Sequence, residues 1–207
     1  MVRSTLFEQR RVAGSLLVTG FAILVVAAVL YGFGAYPAGH VWQSNALTAG
    51  LVFTLLGLTA FQVVLTESGD RLLARLGAVA YLLGVALWIV DDALDLAGAG
   101  FIFELERDYV LLACLAIASF GGAILTTRIL PRWVGGLSVA WAVAWTVLYL
   151  SRIGKAPLGP NLITGLFGLE LLIHRSHAAS RRAPLASSRR IAREPADTTD
   201  DDRPSSL

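Results

Sequence analysis

A stretch of 55 residues, 12–66, contains no Asp, Glu, Lys or Arg. A soluble fold would have to bury nearly all of this stretch, whereas a bilayer supplies an apolar solvent in which one spanning helix uses about 20 apolar residues. The whole chain is also poor in charge, because 15% of its residues are charged and a soluble domain carries about 25%. The stretch therefore predicts an integral membrane protein.

Apolar segments of similar length recur along the chain, and none alternates in polarity as a membrane strand would. In lipid every backbone N–H and C=O must be hydrogen-bonded within the protein, which favours helices. The sequence therefore predicts an all-α fold, a polytopic transmembrane bundle of six helices within residues 12–174. The predicted helices cover about residues 12–31, 46–66, 73–90, 109–127, 131–150 and 157–173.

Basic residues predict the orientation of the bundle. With the N-terminal arm 1–11 in the cytoplasm, 14 of the 17 Lys and Arg residues fall on the cytoplasmic side. Cytoplasmic loops are enriched in these residues, so we expect a multi-pass protein of the cell inner (plasma) membrane with both termini cytoplasmic. The first apolar segment is longer than the core of a secretory signal, and we expect it to stay as a helix.

The C-terminal tail, residues 175–207, changes composition from apolar to basic and then acidic. Few large apolar residues remain there to be buried, so the sequence predicts disorder. The basic half lies next to the predicted membrane, where arginines are attracted to anionic lipid. Membrane lipids are therefore the expected partner of the tail, and a protein partner or a homo-oligomer is the alternative.

Three aspartates, Asp91, Asp92 and Asp95, end the third apolar segment. On a continuing helix Asp91 and Asp95 share a face, and two close carboxylates are able to bind a divalent cation or share a proton. Arg152, at the outer end of the fifth segment, would neutralise them if the two helices are adjacent. The four residues form a candidate ligand or ion site; alternatively, the acids only end the helix and face water.

Glu170 is the one acidic residue within a predicted span, and intramembrane acids are often functional. His174 follows four residues later on the same helix face, and the pair forms a candidate intramembrane polar site. A structural ion pair of Glu170 with His174, Arg71 or Arg75 is the alternative to a role in coupling protons or substrate.

Motifs of several common chemistries are absent from the sequence. The single cysteine, Cys114, has no second cysteine for a disulfide or a thiolate metal site. A phosphate-binding Gly-rich loop, a His-Glu-x-x-His motif and a Gly-x-Ser-x-Gly motif are also missing. We therefore expect no metal, cofactor or nucleic acid, and a non-enzymatic protein is favoured over an enzyme.

The segment ILPRWVGGLS, residues 129–138, joins the fourth and fifth predicted helices. Pro131 suits the first turn of a helix, Arg132 the cytoplasmic side and Trp133 the membrane interface. A Leu-Pro-Arg-Trp-x-Gly junction before an aromatic-rich helix resembles uncharacterised multi-pass bacterial membrane proteins, some grouped as domains of unknown function. The resemblance covers roughly residues 120–173 and implies no particular activity.

Three functions are compatible with these features. The first is a non-enzymatic bundle that interacts with lipids or partner proteins, and the sequence favours it. The second is a small transporter or channel component that uses Glu170 or the external Asp91, Asp95 and Arg152; convergence of Glu170 with Ser138, Thr146 and Asn161 would favour it. The third is an intramembrane enzyme that modifies lipid.

Overall fold

The structure is a computed structural model, and it describes the backbone of residues 2–32, 40–99, 102–151 and 158–180. Side chains are described within residues 8–30, 45–99, 102–151 and 158–173. In these ranges the chain forms six α-helices and no strand, which confirms the predicted all-α bundle.

The helices follow one another with one short 3-10 turn before the last. Their bounds are α1 Val2–Gly32, α2 His40–Glu67, α3 Leu72–Leu96, α4 Phe103–Thr127, α5 Arg132–Leu150, the 3-10 turn Gly159–Asn161 and α6 Leu162–Ser180. Helices α1 to α5 are long and apolar enough to cross a membrane. The last apolar helical segment, Gly159–Ile173, is shorter than these five helices. It includes the 3-10 turn and the beginning of α6.

Several helix ends differ from the predicted bounds. Helix α1 already begins at Val2, so the basic arm 1–11 is part of the first helix instead of a separate segment. Helix α6 continues to Ser180, so the first residues of the tail predicted to be disordered, 175–180, are helical. The rest of the tail, 181–207, lies outside the described residues.

The third helix passes through the aspartates that were predicted to end it. It ends at Leu96, and Gly98 follows with a positive φ of 80° that suits glycine and an N–H that donates to the carbonyl of Asp95. Acidic residues near a helix C-terminus are mildly unfavourable, but they do not break the backbone hydrogen-bond ladder. Helix α4 likewise begins six residues earlier than predicted, at Phe103.

Consecutive helices run antiparallel, as the contacts between α1 and α2 show. Leu17 lies against Gly57, and Leu24, further along α1, lies against Gly50, earlier in α2. A Cβ atom at Gly57 would lie 2.9 Å from the backbone nitrogen of Leu17, so the two backbones are nearly in contact. Such close approach through small residues is the usual way in which helices pack in lipid.

Helix α4 lies at the centre of the bundle, where it contacts α2, α3, α5 and the 3-10 turn. The rings of Phe61 on α2 and Phe120 on α4 stack with centroids 5.9 Å apart, and Phe167 on α6 lies 5.8 Å from Phe61. All three side chains are fully buried. Three helices therefore meet in one aromatic core.

The antiparallel order gathers opposite charges at the two ends of the bundle. The beginning of α1 and the α2–α3 and α4–α5 connections lie at what we call the arginine-rich end. Its described arginines are Arg10, Arg11, Arg71, Arg75, Arg128 and Arg132. The α3–α4 connection lies at the other end, which carries the aspartates and which we call the acidic end.

Candidate functional site

The three aspartates at the acidic end have different surroundings. Asp91 is only 4% exposed, and its Oδ1 accepts a hydrogen bond of 3.1 Å from the backbone N–H of Ile102, just before α4. Asp92 is partly buried, and its Oδ2 accepts from the hydroxyl of Thr48 at 3.3 Å. Asp95 is exposed. The predicted cluster therefore contains one carboxylate that ties α3 to α4, one that reaches α2, and one that faces outward.

A residue that the sequence argument did not single out joins Asp91. Glu106, in the first turn of α4, is partly buried and close enough to Asp91 for their charges to repel. The phenol of Tyr149, near the end of α5, donates a hydrogen bond to Oε1 of Glu106. The ring of Phe103 stacks on that of Tyr149, with centroids 6.2 Å apart and planes 8° apart. Arg152, the predicted partner of the aspartates, lies outside the described residues.

A second polar group lies in the interior of the bundle. Tyr81 donates a hydrogen bond of 2.8 Å to Oδ1 of Asn161, and the amide nitrogen of Asn161 donates one of 2.6 Å to the hydroxyl of Tyr109. The exposed fraction of each side chain is at most 1%. We call these three residues the buried polar triad. Buried polar groups need hydrogen-bond partners inside the protein. The hydrogen bonds of the triad meet this need and connect α3, α4 and the 3-10 turn.

The 3-10 turn that carries Asn161 lies about midway along α5. The indole N–H of Trp141, the tenth residue of α5, donates a hydrogen bond of 3.1 Å to the carbonyl of Gly159. The indole of Trp145 covers Gly159 so closely that a Cβ atom there would overlap its ring. Helix α6 therefore begins inside the bundle instead of at the acidic end.

From this starting point α6 runs toward the arginine-rich end. Gly165 lies against Phe21, whereas Gly168 and Leu172 lie against Gly14, which is nearer the beginning of α1. The described part of α6 thus spans only part of the bundle. This arrangement is weakly indicated by Gly159 and Pro160, which interrupt the sixth apolar segment near its start.

Trp88 lies between the acidic end and the buried polar triad. Its ring packs on that of Tyr109 with centroids 5.1 Å apart. Its Nε1 is buried and has no hydrogen-bond partner among the described residues. Buried donors usually have a partner, so the indole N–H of Trp88 is an unsatisfied donor with respect to the described side chains.

The candidate intramembrane site of Glu170 and His174 is only partly placed. Glu170 is partly buried on α6, and no ion pair joins it to Arg71 or Arg75 in the described part of the chain. The side chain of His174 lies outside the described residues. Ser138 and Thr146, whose convergence with Glu170 and Asn161 would favour transport, donate to carbonyls of their own helix, at 2.7 and 2.8 Å.

Within the described ranges no three His, Cys, Asp or Glu residues are grouped so as to hold a metal ion. Cys114 is buried. No protein-family model, no curated protein and no solved structure matches this chain.

The geometry of the site is one of hydrogen bonds between helices. Asp91 and Glu106 accept at the acidic end, and Asn161 both donates and accepts in the interior. Sequence reasoning missed Glu106 because it counted this residue as part of an external connection. The signal that marks Glu106 is its spacing, since it lies three residues before Tyr109 on the same face of α4.

Proposed function

We propose that this chain is an integral membrane protein that acts as a non-enzymatic helical bundle and interacts with membrane lipids or with partner proteins. One observation carries the proposal: the arginines of one end have no carboxylate partner among the described residues, while the outer faces of the long helices expose large apolar side chains. Apolar outer faces suit lipid chains, and unpaired arginines suit the phosphates of lipid headgroups.

The same distribution of charge supports an orientation. Six described arginines lie at one end, and Arg107, paired with Asp108 at 3.0 Å, is the only described arginine at the other. By the excess of Lys and Arg in cytoplasmic loops, the arginine-rich end faces the cytoplasm of a cell whose inner membrane holds the protein. The beginning of α1 then lies on the cytoplasmic side, and α6 runs toward it.

Lipid dependence tests this function directly. The full chain is placed in nanodiscs of phosphatidylcholine alone or with one quarter phosphatidylglycerol, and its thermal midpoint is measured at low and high salt. We expect a higher midpoint with the anionic lipid, and a difference that shrinks as salt screens the charges. Equal midpoints at low salt would remove the support for lipid interaction.

Transport is a second candidate, and the start of α6 favours it. A helix that begins inside a bundle, beside buried polar side chains, is the arrangement with which many transporters build a substrate site. Here Asn161 lies at that point, and the carboxylates of Asp91 and Glu106 lie toward the acidic end. A small transporter or channel component would use these groups to pass a proton or a small polar solute.

A flux assay separates the two candidates. Proteoliposomes that contain a pH-sensitive dye are given a potassium diffusion potential, and proton entry is compared for the wild type, Glu106→Gln, Glu170→Gln and empty vesicles. Transport predicts flux above that of empty vesicles and a reduced flux in at least one variant. Flux equal to that of empty vesicles would remove this candidate for protons and leave the first one untouched.

A further inference from the structure

Two connections of the chain are joined at the arginine-rich end. Asp70, just before α3, accepts a hydrogen bond of 2.6 Å from the hydroxyl of Thr126 near the end of α4. Its other carboxylate oxygen accepts one of 3.0 Å from the backbone N–H of Leu73 and so caps α3. The α2–α3 and α4–α5 connections therefore form one corner of the bundle, which we call the Asp70 corner.

Four arginines belong to this corner: Arg71, Arg75, Arg128 and Arg132. All four side chains are exposed, and none forms an ion pair with a described carboxylate. The two acids of the corner, Glu67 and Asp70, offset only part of the charge of the four arginines, and neither forms an ion pair with them in the described part of the chain. The corner therefore carries a net positive charge that the protein itself leaves unpaired.

Arg128 also occupies an unusual backbone position. Its φ of 55° is the only positive φ at a non-glycine residue in the described ranges, and it ends α4 in the left-handed conformation. Glycine adopts this conformation without strain, whereas a residue with a side chain has a cost. Arg128 lies four residues before Arg132, at which α5 begins, and the unpaired backbone N–H groups of a first helical turn favour an anion.

An apolar stripe continues from the corner along α3. Leu72, Leu76, Val79 and Leu83 follow one another at helical spacing and are all exposed, with Leu72 79% exposed. Trp133, at the beginning of α5, is also exposed. The surface thus has a cluster of cations next to an apolar face. A phospholipid has the matching arrangement, with a charged headgroup next to apolar acyl chains.

We propose that the Asp70 corner is a binding site for the phosphate headgroup of an anionic phospholipid, whose acyl chains lie on the stripe of α3. The inference rests on the proposed function, because it takes the bundle to lie in a membrane and to interact with lipid. Guanidinium groups bind phosphate oxygens in a bidentate manner. Basic pockets between helices on the cytoplasmic side are a recurrent kind of lipid site.

The test compares two double variants of the full chain with the same loss of charge. Arg75→Gln with Arg128→Gln alters the corner, and Arg11→Gln with Arg107→Gln is the control, on α1 and at the acidic end. The thermal midpoint of each protein is measured in phosphatidylcholine nanodiscs with and without one quarter phosphatidylglycerol. Each protein is its own reference in phosphatidylcholine, so a general loss of stability does not affect the comparison.

We expect the corner variant to lose more than half of the wild-type gain from phosphatidylglycerol, and the control to keep most of it. Equal loss in both variants, or full gain in the corner variant, would overturn the site while the wild-type gain still supports lipid interaction. The absence of a gain in the wild type would instead reject the proposed function. Inorganic phosphate added to phosphatidylcholine discs should have no effect; if it reproduces the gain, the corner binds a soluble anion and the lipid assignment is wrong.

Discussion

The amide nitrogen of Asn161 lies 2.6 Å from the hydroxyl oxygen of Tyr109, to which it donates a hydrogen bond in the interior of the bundle. These residues are 52 positions apart, and both are fully enclosed. Because a polar amide in an apolar interior is costly without partners, this bond and the one from Tyr81 hold the 3-10 turn before α6 in the interior of the bundle.

Replacement of Asn161 by leucine should destabilise the bundle. Leucine has a similar volume but leaves the hydroxyls of Tyr81 and Tyr109 buried without this partner, at a cost of about 1–3 kcal/mol for an unsatisfied group. Thermal unfolding in detergent micelles measures the change, and Asn45→Leu, at an exposed position of α2, is the matched control. In a background with both tyrosines replaced by phenylalanine the loss should be smaller. An undiminished loss there would mean that the triad is not its cause.

The contact between Gly159 and Trp145 leads to a prediction about volume. A methyl group at Gly159 would overlap the indole ring, whereas one at Gly136 would meet no atom within 4 Å. Gly159→Ala should therefore destabilise the protein by about 1–3 kcal/mol, as overpacking does, and Gly136→Ala should not destabilise it. Thermal midpoints of both variants check this. Trp145→Leu in the Gly159→Ala background should restore part of the loss, and no restoration would argue against the overlap.

The aspartates of the acidic end should respond differently to alanine. Asp91→Ala removes the acceptor of the Ile102 N–H and should cost about 1–3 kcal/mol. Asp95→Ala removes an exposed charge near a helix C-terminus, where negative charge is mildly unfavourable, and should change stability by less than about 0.5 kcal/mol. Hydrogen exchange of the first turn of α4 should also accelerate in the Asp91 variant alone. Equal effects of the two substitutions would contradict the described burial.

The hydrogen bond from Tyr149 to Glu106 should appear as an energetic coupling. Hydrogen bonds to a charged group contribute about 1.5–3 kcal/mol, more than those between neutral groups. A double-mutant cycle with Glu106→Gln and Tyr149→Phe measures the coupling through the stability of the two single variants and the double variant. Phenylalanine keeps the ring that stacks on Phe103, so the cycle isolates the hydroxyl. Strict additivity would show that the bond does not stabilise the protein.

The proposed orientation is tested by labelling cysteines in intact cells. In a Cys114→Ala background, Ala99→Cys lies on the α3–α4 connection and Glu67→Cys on the side of the α2–α3 connection; both positions are exposed. A membrane-impermeant maleimide should label Ala99→Cys in intact cells and Glu67→Cys only after the cells are opened. The reverse pattern would invert the orientation.

Much of the fold follows from local composition. Apolar runs predicted six helices, of which five are long enough to cross a membrane and the last, Gly159–Ile173, is shorter. The turn residues between them located most connections within a few positions. The helix ends were less predictable, because Asp91, Asp92 and Asp95 mark a change of polarity but not an end of backbone hydrogen bonding. Only the glycine at position 98, with its positive φ, marks the end of α3.

The candidate site was predictable only in part. The sequence singled out the aspartates and Glu170 because charge is rare in this chain. It could not distinguish Asp91 from Asp95, because that difference depends on which face of α3 packs on α4. Glu106 and Tyr149 are 43 residues apart, and nothing in their local surroundings indicates that they meet.

The amino-acid sequence by itself determined that this chain is helical, apolar in its long segments and basic toward one side, because each of these properties is a sum over neighbouring residues. Only the tertiary structure decided that α6 begins beside Tyr81 and Tyr109, and that four arginines share one corner with Asp70. Those arrangements depend on the faces that helices present to each other at close range. The packing of these faces is determined by glycine contacts and hydrogen bonds between residues far apart in the chain. A local sequence pattern contains no information about such long-range contacts.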